Sequence, residues 1–304
     1  MKSILIIIPY FGELPSLFKF WYVSATMNSS INFLFITNID IPSAKNIKIV
    51  KMDFIEFVNK LKQKYPFEIK IPSPYKLCDF RGAYGDIFSK YTTGYDFWGF
   101  SDIDLIYGDI RQFITDEILE QYDMISGWGH FTLYRNIPLC NNFYKEHTNG
   151  FLYYMDVFKN PQNMVFDEYQ HKGLSDRWIK IYPKRVFRTT AFDDICIPRL
   201  HWHFQAYQKD YCNLIFEYNQ GQLYRHYLKG GKWICEQTLY AHFQQRKKFQ
   251  DKTTSTEHYL IIPNSFIPYR KLTKSNIKWL GRKRPLQYLH YRIKIKLTNF
   301  FIKK

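Results

Sequence analysis

Apolar positions along the N-terminal half of the chain alternate between unbroken runs and helically spaced sets. Ile4–Ile8 is a continuous apolar run that ends at Pro9-Tyr10-Phe11-Gly12, the pattern of a strand covered on both faces. Leu14–Tyr22 then predicts a helix, Asn32–Thr37 a second buried strand, and Asn46–Met52 a third with alternating polarity. Phe54, Phe57, Val58 and Leu61 recur at helical spacing, so 54–65 reads as an amphipathic helix. A loop, Ile71-Pro72-Ser73-Pro74, leads into a helix over Tyr75–Tyr91, followed by a strand at Phe97–Phe100, a helix over Ile110–Tyr122 and a short strand at Asp123–Ser126. Strands alternating with helices predict an α/β domain with a mainly parallel sheet flanked by helices. In such sheets ligands lie beyond the carboxyl ends of the strands, so Pro9–Gly12 and Asp102–Asp104 fall on one edge.

Periodicity is weak from about 141 to 200. Further on, Ile215–Tyr218 and Leu223–Tyr227 flank Asn219-Gln220-Gly221-Gln222, a hairpin signal, and Trp233–His242 reads as one more strand.

Composition narrows the class. Apolar residues make up 46% and aromatics 19%, enough for a large core, which excludes a disordered tail protein. No apolar run reaches the roughly 18–20 residues that span a bilayer, and the first run is too short for a secretory signal, so a cytoplasmic location is expected. The cysteines, 78, 140, 196, 212 and 235, form no C-x-x-C pair, and neither a disulfide framework nor a zinc knuckle is indicated. The net charge is +16, and twelve of those charges lie after residue 257, where no Asp or Glu occurs. The chain therefore divides, on charge, into a body (1–250) and a basic, amphipathic C-terminal extension (251–304) read as helical.

The sharpest chemical feature is Trp98-Gly99-Phe100-Ser101-Asp102-Ile103-Asp104. In an extended segment residues two apart point the same way, so Asp102 and Asp104 converge while Ile103 turns to the core. Two convergent carboxylates repel unless a cation lies between them, and a hard divalent ion that also takes phosphate oxygens is the natural candidate. The same acids can instead serve as turn residues that cap a following helix.

Together with Lys76-Leu77-Cys78-Asp79-Phe80-Arg81-Gly82-Ala83-Tyr84-Gly85, Trp128–Asn136 and Tyr240–Arg246, this segment resembles GT-A-fold (Rossmann-like) glycosyltransferases. More narrowly it is similar to an uncharacterised bacterial group found in polysaccharide-biosynthesis settings; the resemblance covers most of 1–250. It implies a hexosyltransferase that takes a nucleotide-diphosphate sugar, UDP-sugars favoured, with Mn²⁺ or Mg²⁺ on the D-x-D motif. The implied metal ligands are Asp102, Asp104 and His242, since in several retaining families a C-terminal His completes the metal site. Donor-binding candidates are Pro9, Tyr10, Phe11 and Gly12, then Lys76, Asp79 and Arg81, then Ser101, Asp102 and Ile103. Lys76 or Arg81 would reach phosphate and Asp79 the base or ribose. Lys247 and Lys248 could add diphosphate contacts.

On the acceptor side His130, Asp167, Glu168, Asp193 and Asp194 are the candidate catalytic residues. An inverting enzyme needs one carboxylate as base and a retaining enzyme does not, and the sequence leaves both open. Caps and salt bridges account for such acids equally well. The expected acceptor is a glycan or lipid-linked glycan of bacterial surface polysaccharide (capsule or lipopolysaccharide), and the basic aromatic extension suits an anionic membrane surface. A metal-dependent phosphohydrolase or nucleotidyltransferase would use the same acids. A nucleic-acid-binding protein is disfavoured, because the body carries clustered acids.

Overall fold

The computed structural model describes residues 1–196, 204–206, 211–244, 249–282 and 293. Its strands, in chain order, are β1 Ile4–Pro9, β2 Ile31–Thr37, β3 Ile47–Lys51, β4 Phe97–Ser101, β5 Leu105–Tyr107, β6 Met124–Trp128, β7 Phe131–Arg135, β8 Val186–Phe187 and β9 Asp193–Cys196. They continue with β10 Gln205–Ala206, β11 Cys212–Asn219, β12 Gln222–Lys229, β13 Lys232–Gln237, β14 Tyr240–His242, β15 Gln250–Asp251, β16 His258–Ile262 and β17 Ser265–Pro268. The chain forms two compact units, each drawn from three segments of the sequence. The first comprises Met1–Leu14, Asn28–Asp102 and Ile114–Thr190; the second comprises Pro15–Met27, Ile103–Phe113 and Ala191–Lys304.

The first unit is built on a seven-stranded sheet ordered β3-β2-β1-β4-β7-β6-β8. β1 pairs in parallel with β2 and β4, β2 with β3, and β6 with β8, while β7 runs against both β4 and β6. Two reversals leave β6 and β8 pointing the same way as β1 and β4, so their carboxyl ends share one edge. The centre is buried along its length because β1 (ILIIIP) and β4 (FWGFS) are nearly all apolar. Gly99 permits the close β4–β7 approach: a Cβ there would lie 2.3 Å from the Thr132 carbonyl oxygen. The helix Phe54–Lys64 starts where the spacing places it, capped by Asp53, which accepts from the Glu56 amide at 2.8 Å. Its Phe57, Val58 and Leu61 enter the core with Phe80, Trp98, Phe158 and Trp178.

The single helix expected over 75–91 is instead a 3₁₀ helix, Pro74–Ala83, with short α-turns at Tyr84–Ile87 and Ser89–Thr92. Side chains at i and i+3 eclipse in a 3₁₀ helix. Lys76 and Asp79 accordingly stack into an ion pair at 2.6 Å with side chains 1% and 0% exposed. Likewise the helix expected over 110–122 is interrupted at Thr115, whose hydroxyl caps a new helix, Asp116–Gln121.

The second unit holds a four-stranded sheet, β10-β9-β14-β5, and a six-stranded, mostly antiparallel one, β13-β12-β11-β16-β17-β15. The predicted hairpin is present: β11 and β12 join through Gln220 (φ +45°) and Gly221 (φ +88°), both left-handed. The strand expected over 233–242 is two strands in different sheets. Thr238 breaks it by donating its buried hydroxyl to the Ala191 carbonyl and the Asp193 carboxylate, both at 2.9 Å. Much of the supposed extension belongs to this unit: β16 lies between β11 and β17, and the helix Lys274–Leu280 buries Ile277 and Leu280 against Ile215, Leu228 and Leu260. Apart from Ile293, residues 283–304 lie outside the described residues. No helix among the described residues is long and apolar enough to cross a membrane.

Candidate functional site

Within the first unit, the register Ile7↔Phe100 brings the ends of β1 and β4 side by side at the carboxyl edge, as the sequence predicts. Of the four residues after that run, Phe11 is core, its ring 5.4 Å from those of Phe54 and Phe57, so it is not available to stack on a base. Tyr10 is half-buried and its hydroxyl donates to the Glu13 carbonyl at 2.6 Å; Pro9 is half-buried, and Gly12 is exposed at φ +127°.

Arg81 is the hub of this edge. Its guanidinium donates to Asp102, to Asp167 Oδ2 at 2.9 Å and to the Gly129 carbonyl at 2.5 Å. Burial opposes the charge on Arg81, but Asp102 and Asp167 outweigh it and hold its pKa well above the ordinary value. For Asp167 burial prevails over Arg81, and its carboxyl is pushed up to about 7. The Asp102 amide donates to the His130 carbonyl at 3.0 Å, so β4 and β7 remain tied beyond the ladder. His130 is 8% exposed, with its ring stacked near Trp128. Glu168 is half-exposed, its stem lying over Gly129. Ser101 is buried and donates to the Asp102 carbonyl at 2.9 Å.

Lys76 and Asp79 are displaced from their expected roles. Lys76 donates to the Val157 and Gln162 carbonyls at 2.9 and 2.7 Å, and Asp79 accepts from the amides of Met164 and Phe166, both at 2.9 Å. Facing inward with their polar atoms engaged, they clamp the loop that carries Asp167 instead of presenting groups to a nucleotide.

Within the second unit, β14 runs antiparallel to β5 and parallel to β9, with His242 level with Leu105 and Asp194. That register puts Asp104, one residue before β5, beside His242 on one flank and Asp194 on the other. His242 Nε2 is 3.2 Å from Asp104 Oδ1, and Nδ1 is 2.9 Å from Asp194 Oδ1. Gln244 also donates to Asp194 Oδ1, at 2.9 Å, a contact that no sequence signal marks. Asp193 points to the other face of β9. It is fully buried on Arg225 at 3.2 Å and on Thr238, so its carboxylate is committed to structure and not to acceptor chemistry. Ile103 is buried, as strand parity predicts. Asp102 and Asp104 engage different partners, the guanidinium of Arg81 and the imidazole of His242. Lys247 and Lys248 lie outside the described residues.

The arrangement around His242 has a chemical consequence. A carboxylate can only accept, so the contact with Asp194 fixes the proton on Nδ1. In neutral imidazole Nε2 then turns a lone pair toward the Asp104 carboxylate, which is repulsive unless a cation lies there. Two cis ligands at about 2.1 Å from an octahedral ion are roughly 3.0 Å apart, close to the 3.2 Å observed. Oxygen and imidazole donors suit Mn²⁺ or Mg²⁺, and an imidazole whose other nitrogen donates to a carboxylate is the common form of a metal-binding His. The residues fit a divalent ion.

Among solved structures, the apo form of mouse xyloside xylosyltransferase 1 is similar at 11% identity and a TM-score of 0.36, over 64% of this chain and 88% of that one. No curated protein matches the chain in sequence. Residues 6–270, which run from β1 through β17, match the model of a family of unknown function, DUF6625, and the chain belongs to that family.

Proposed function

We propose that the chain is a metal-dependent glycosyltransferase. In this reading it moves a hexose from a nucleotide-diphosphate sugar, a UDP-sugar by preference, to a glycan or lipid-linked glycan of bacterial surface polysaccharide. The observation that carries the proposal is the Asp104–His242–Asp194 array, a cation-demanding pair of donors with the imidazole oriented from behind. Asp104 and His242 hold the ion, and Asp102, two positions earlier in the chain, is the second acid of the motif. When bound, the metal supplies Lewis-acid stabilisation of the diphosphate leaving group. Asp194 keeps Nε2 aimed at the ion. Arg81 holds Asp102 and Asp167 in place at the sheet edge. Glu168, half-exposed beside Gly129, is the more accessible of the first unit's two candidate acids for an acceptor hydroxyl, Asp167 being buried. Exposed Lys274, Lys278, Trp279 and Arg282 would face an anionic membrane surface.

Thermal shift with UDP and Mn²⁺, alongside release of free nucleoside diphosphate with and without a glycan acceptor, tests the assignment. Stabilisation by UDP should require Mn²⁺ and vanish in Asp104→Asn, with the variant's fold checked by circular dichroism. Release independent of every acceptor, at a rate no acceptor raises, would assign the same residues to a phosphohydrolase.

A further inference from the structure

Arg188 differs from Arg177, which spends its guanidinium on the Glu146 and Phe143 carbonyls, and from the acid-paired arginines of the first unit. Arg81, Arg135 and Arg185 each meet a carboxylate. Arg188 does not: its guanidinium carbon lies 4.2 Å over the Trp128 ring and 4.0 Å over the Tyr169 ring, and no acid among the described residues pairs with it. Its Nε is buried without a hydrogen-bond partner, while the residue as a whole is half-buried, as are both rings. A guanidinium held over aromatic faces keeps its donors in its own plane, the geometry that grips a carboxylate or phosphate with two parallel bonds.

The segments that deliver the two rings are both conformationally unusual. β6 is bulged between Ile125 and Trp128, with Ser126 at φ +77° and Gly127 at φ +68°, which re-aims Trp128. Tyr169 rides a loop in which Val165, Gln170 and Lys172 are all left-handed, at φ +51°, +71° and +59°. A β-branched residue at positive φ costs energy and persists only where its surroundings hold it. Here Asp79 holds one end through the Met164 and Phe166 amides, and Asp176 the other through the Gln170 and Lys172 amides, at 3.0 and 2.8 Å.

Arg188 directly follows β8, and β8 runs parallel to β6, so the platform lies on the same carboxyl edge as Asp102 after β4. Three strand spacings separate β4 from β8, on the order of 14 Å, so Arg188 stands along that edge at a distance from Asp102.

We propose that Arg188, with Trp128 and Tyr169, is an acceptor subsite for a sugar bearing an oxyanion, either a uronate carboxylate or a sugar phosphate. This rests on the transferase reading for the word acceptor; the anion site itself does not. The test titrates the full chain with methyl β-D-glucuronide, methyl β-D-glucoside 6-phosphate and neutral methyl β-D-glucoside, followed by ligand-observed NMR and tryptophan fluorescence. At least one anion should bind ten times more tightly than the neutral glucoside, and which anion is preferred identifies the source of the charge. Arg188→Gln should remove that tenfold gain and leave binding of the neutral glucoside and stabilisation by UDP with Mn²⁺ unchanged. Equal affinity for all three sugars, or unaltered anion affinity in Arg188→Gln, would overturn the proposal. Should Arg188→Gln fail to fold, Arg188→Lys keeps the charge but loses the planar fork; it must weaken anion binding several-fold, and full retention overturns the subsite. Absence of any UDP·Mn²⁺ stabilisation with anion binding intact would remove the transferase reading and leave the anion site standing.

Discussion

Asp194 stands 2.9 Å from Nδ1 of His242, on the side of the ring opposite Asp104. Its chain neighbour Asp193 is turned to the other face of β9, onto Arg225. The two adjacent acids therefore do different work, one orienting an imidazole and the other anchoring a sheet. Outer partners of metal-binding histidines are worth about 10- to 100-fold in metal affinity. Asp194→Ala is expected to weaken Mn²⁺ binding by that factor, read from free Mn²⁺ by electron paramagnetic resonance, while Asp193→Asn should chiefly lower the melting temperature. Unchanged Mn²⁺ affinity in Asp194→Ala would place the ion elsewhere.

Lys76 and Asp79 form a pair excluded from solvent, with backbone groups satisfying their remaining bonds. Removing one member leaves the other charge buried and uncompensated, a loss of about 3–5 kcal/mol. Lys76→Met should lose stability of that order in urea unfolding. It should also open the 162–166 loop to protease, because Asp79 grips that loop. A change below about 1 kcal/mol would mean that water reaches the pair.

The carboxyl of Asp167, pushed up to about 7 by burial in spite of Arg81, couples folding to pH. An unfolded Asp ionises near 4, so between about pH 4 and 7 the native state keeps a proton that the unfolded chain has lost. Stability then falls as pH rises through that window. Asp167→Asn removes the titration and should flatten the slope relative to the parent chain between pH 4 and 7. Parallel curves for the two proteins would show that Asp167 is ionised throughout.

The sequence made parts of this architecture legible for identifiable reasons. β1 and β4 are unbroken apolar runs, and only strands covered on both faces tolerate that, so the sheet and its carboxyl edge followed directly. The hairpin at Gln220-Gly221 announced itself by its turn residues. What escaped depends on register across distant strands. Asp194 and His242 were both marked, for different tasks, and only the parallel alignment of β9 with β14 joins them. Lys76 and Asp79 were given donor-binding roles through the resemblance, and nothing in the chain shows that a 3₁₀ helix stacks them into a pair with each other. The stretch from 258 to 282 was read by its charge, which hid the buried apolar run of β16, the turn at Asn264 and the capped helix behind Thr273. Arg188 carried no signal, since nothing in a chain shows that an arginine will lack an acid.

That same C-terminal stretch yields a last expectation. In the helix Lys274–Leu280, Ile277 and Leu280 face the core, while Lys274, Lys278 and Trp279 are exposed, with Arg282 4.7 Å over the Trp279 ring. Each basic residue near an anionic leaflet contributes about 1 kcal/mol, and salt screens the attraction. Co-sedimentation with phosphatidylserine vesicles should therefore fall as salt rises. Exchanging Lys274, Lys278 and Arg282 together for Gln should lower it on the order of a hundredfold. Because all three residues are exposed, the exchange should leave the melting temperature nearly unaltered. Vesicle binding that survives it intact would assign this basic face to a soluble partner.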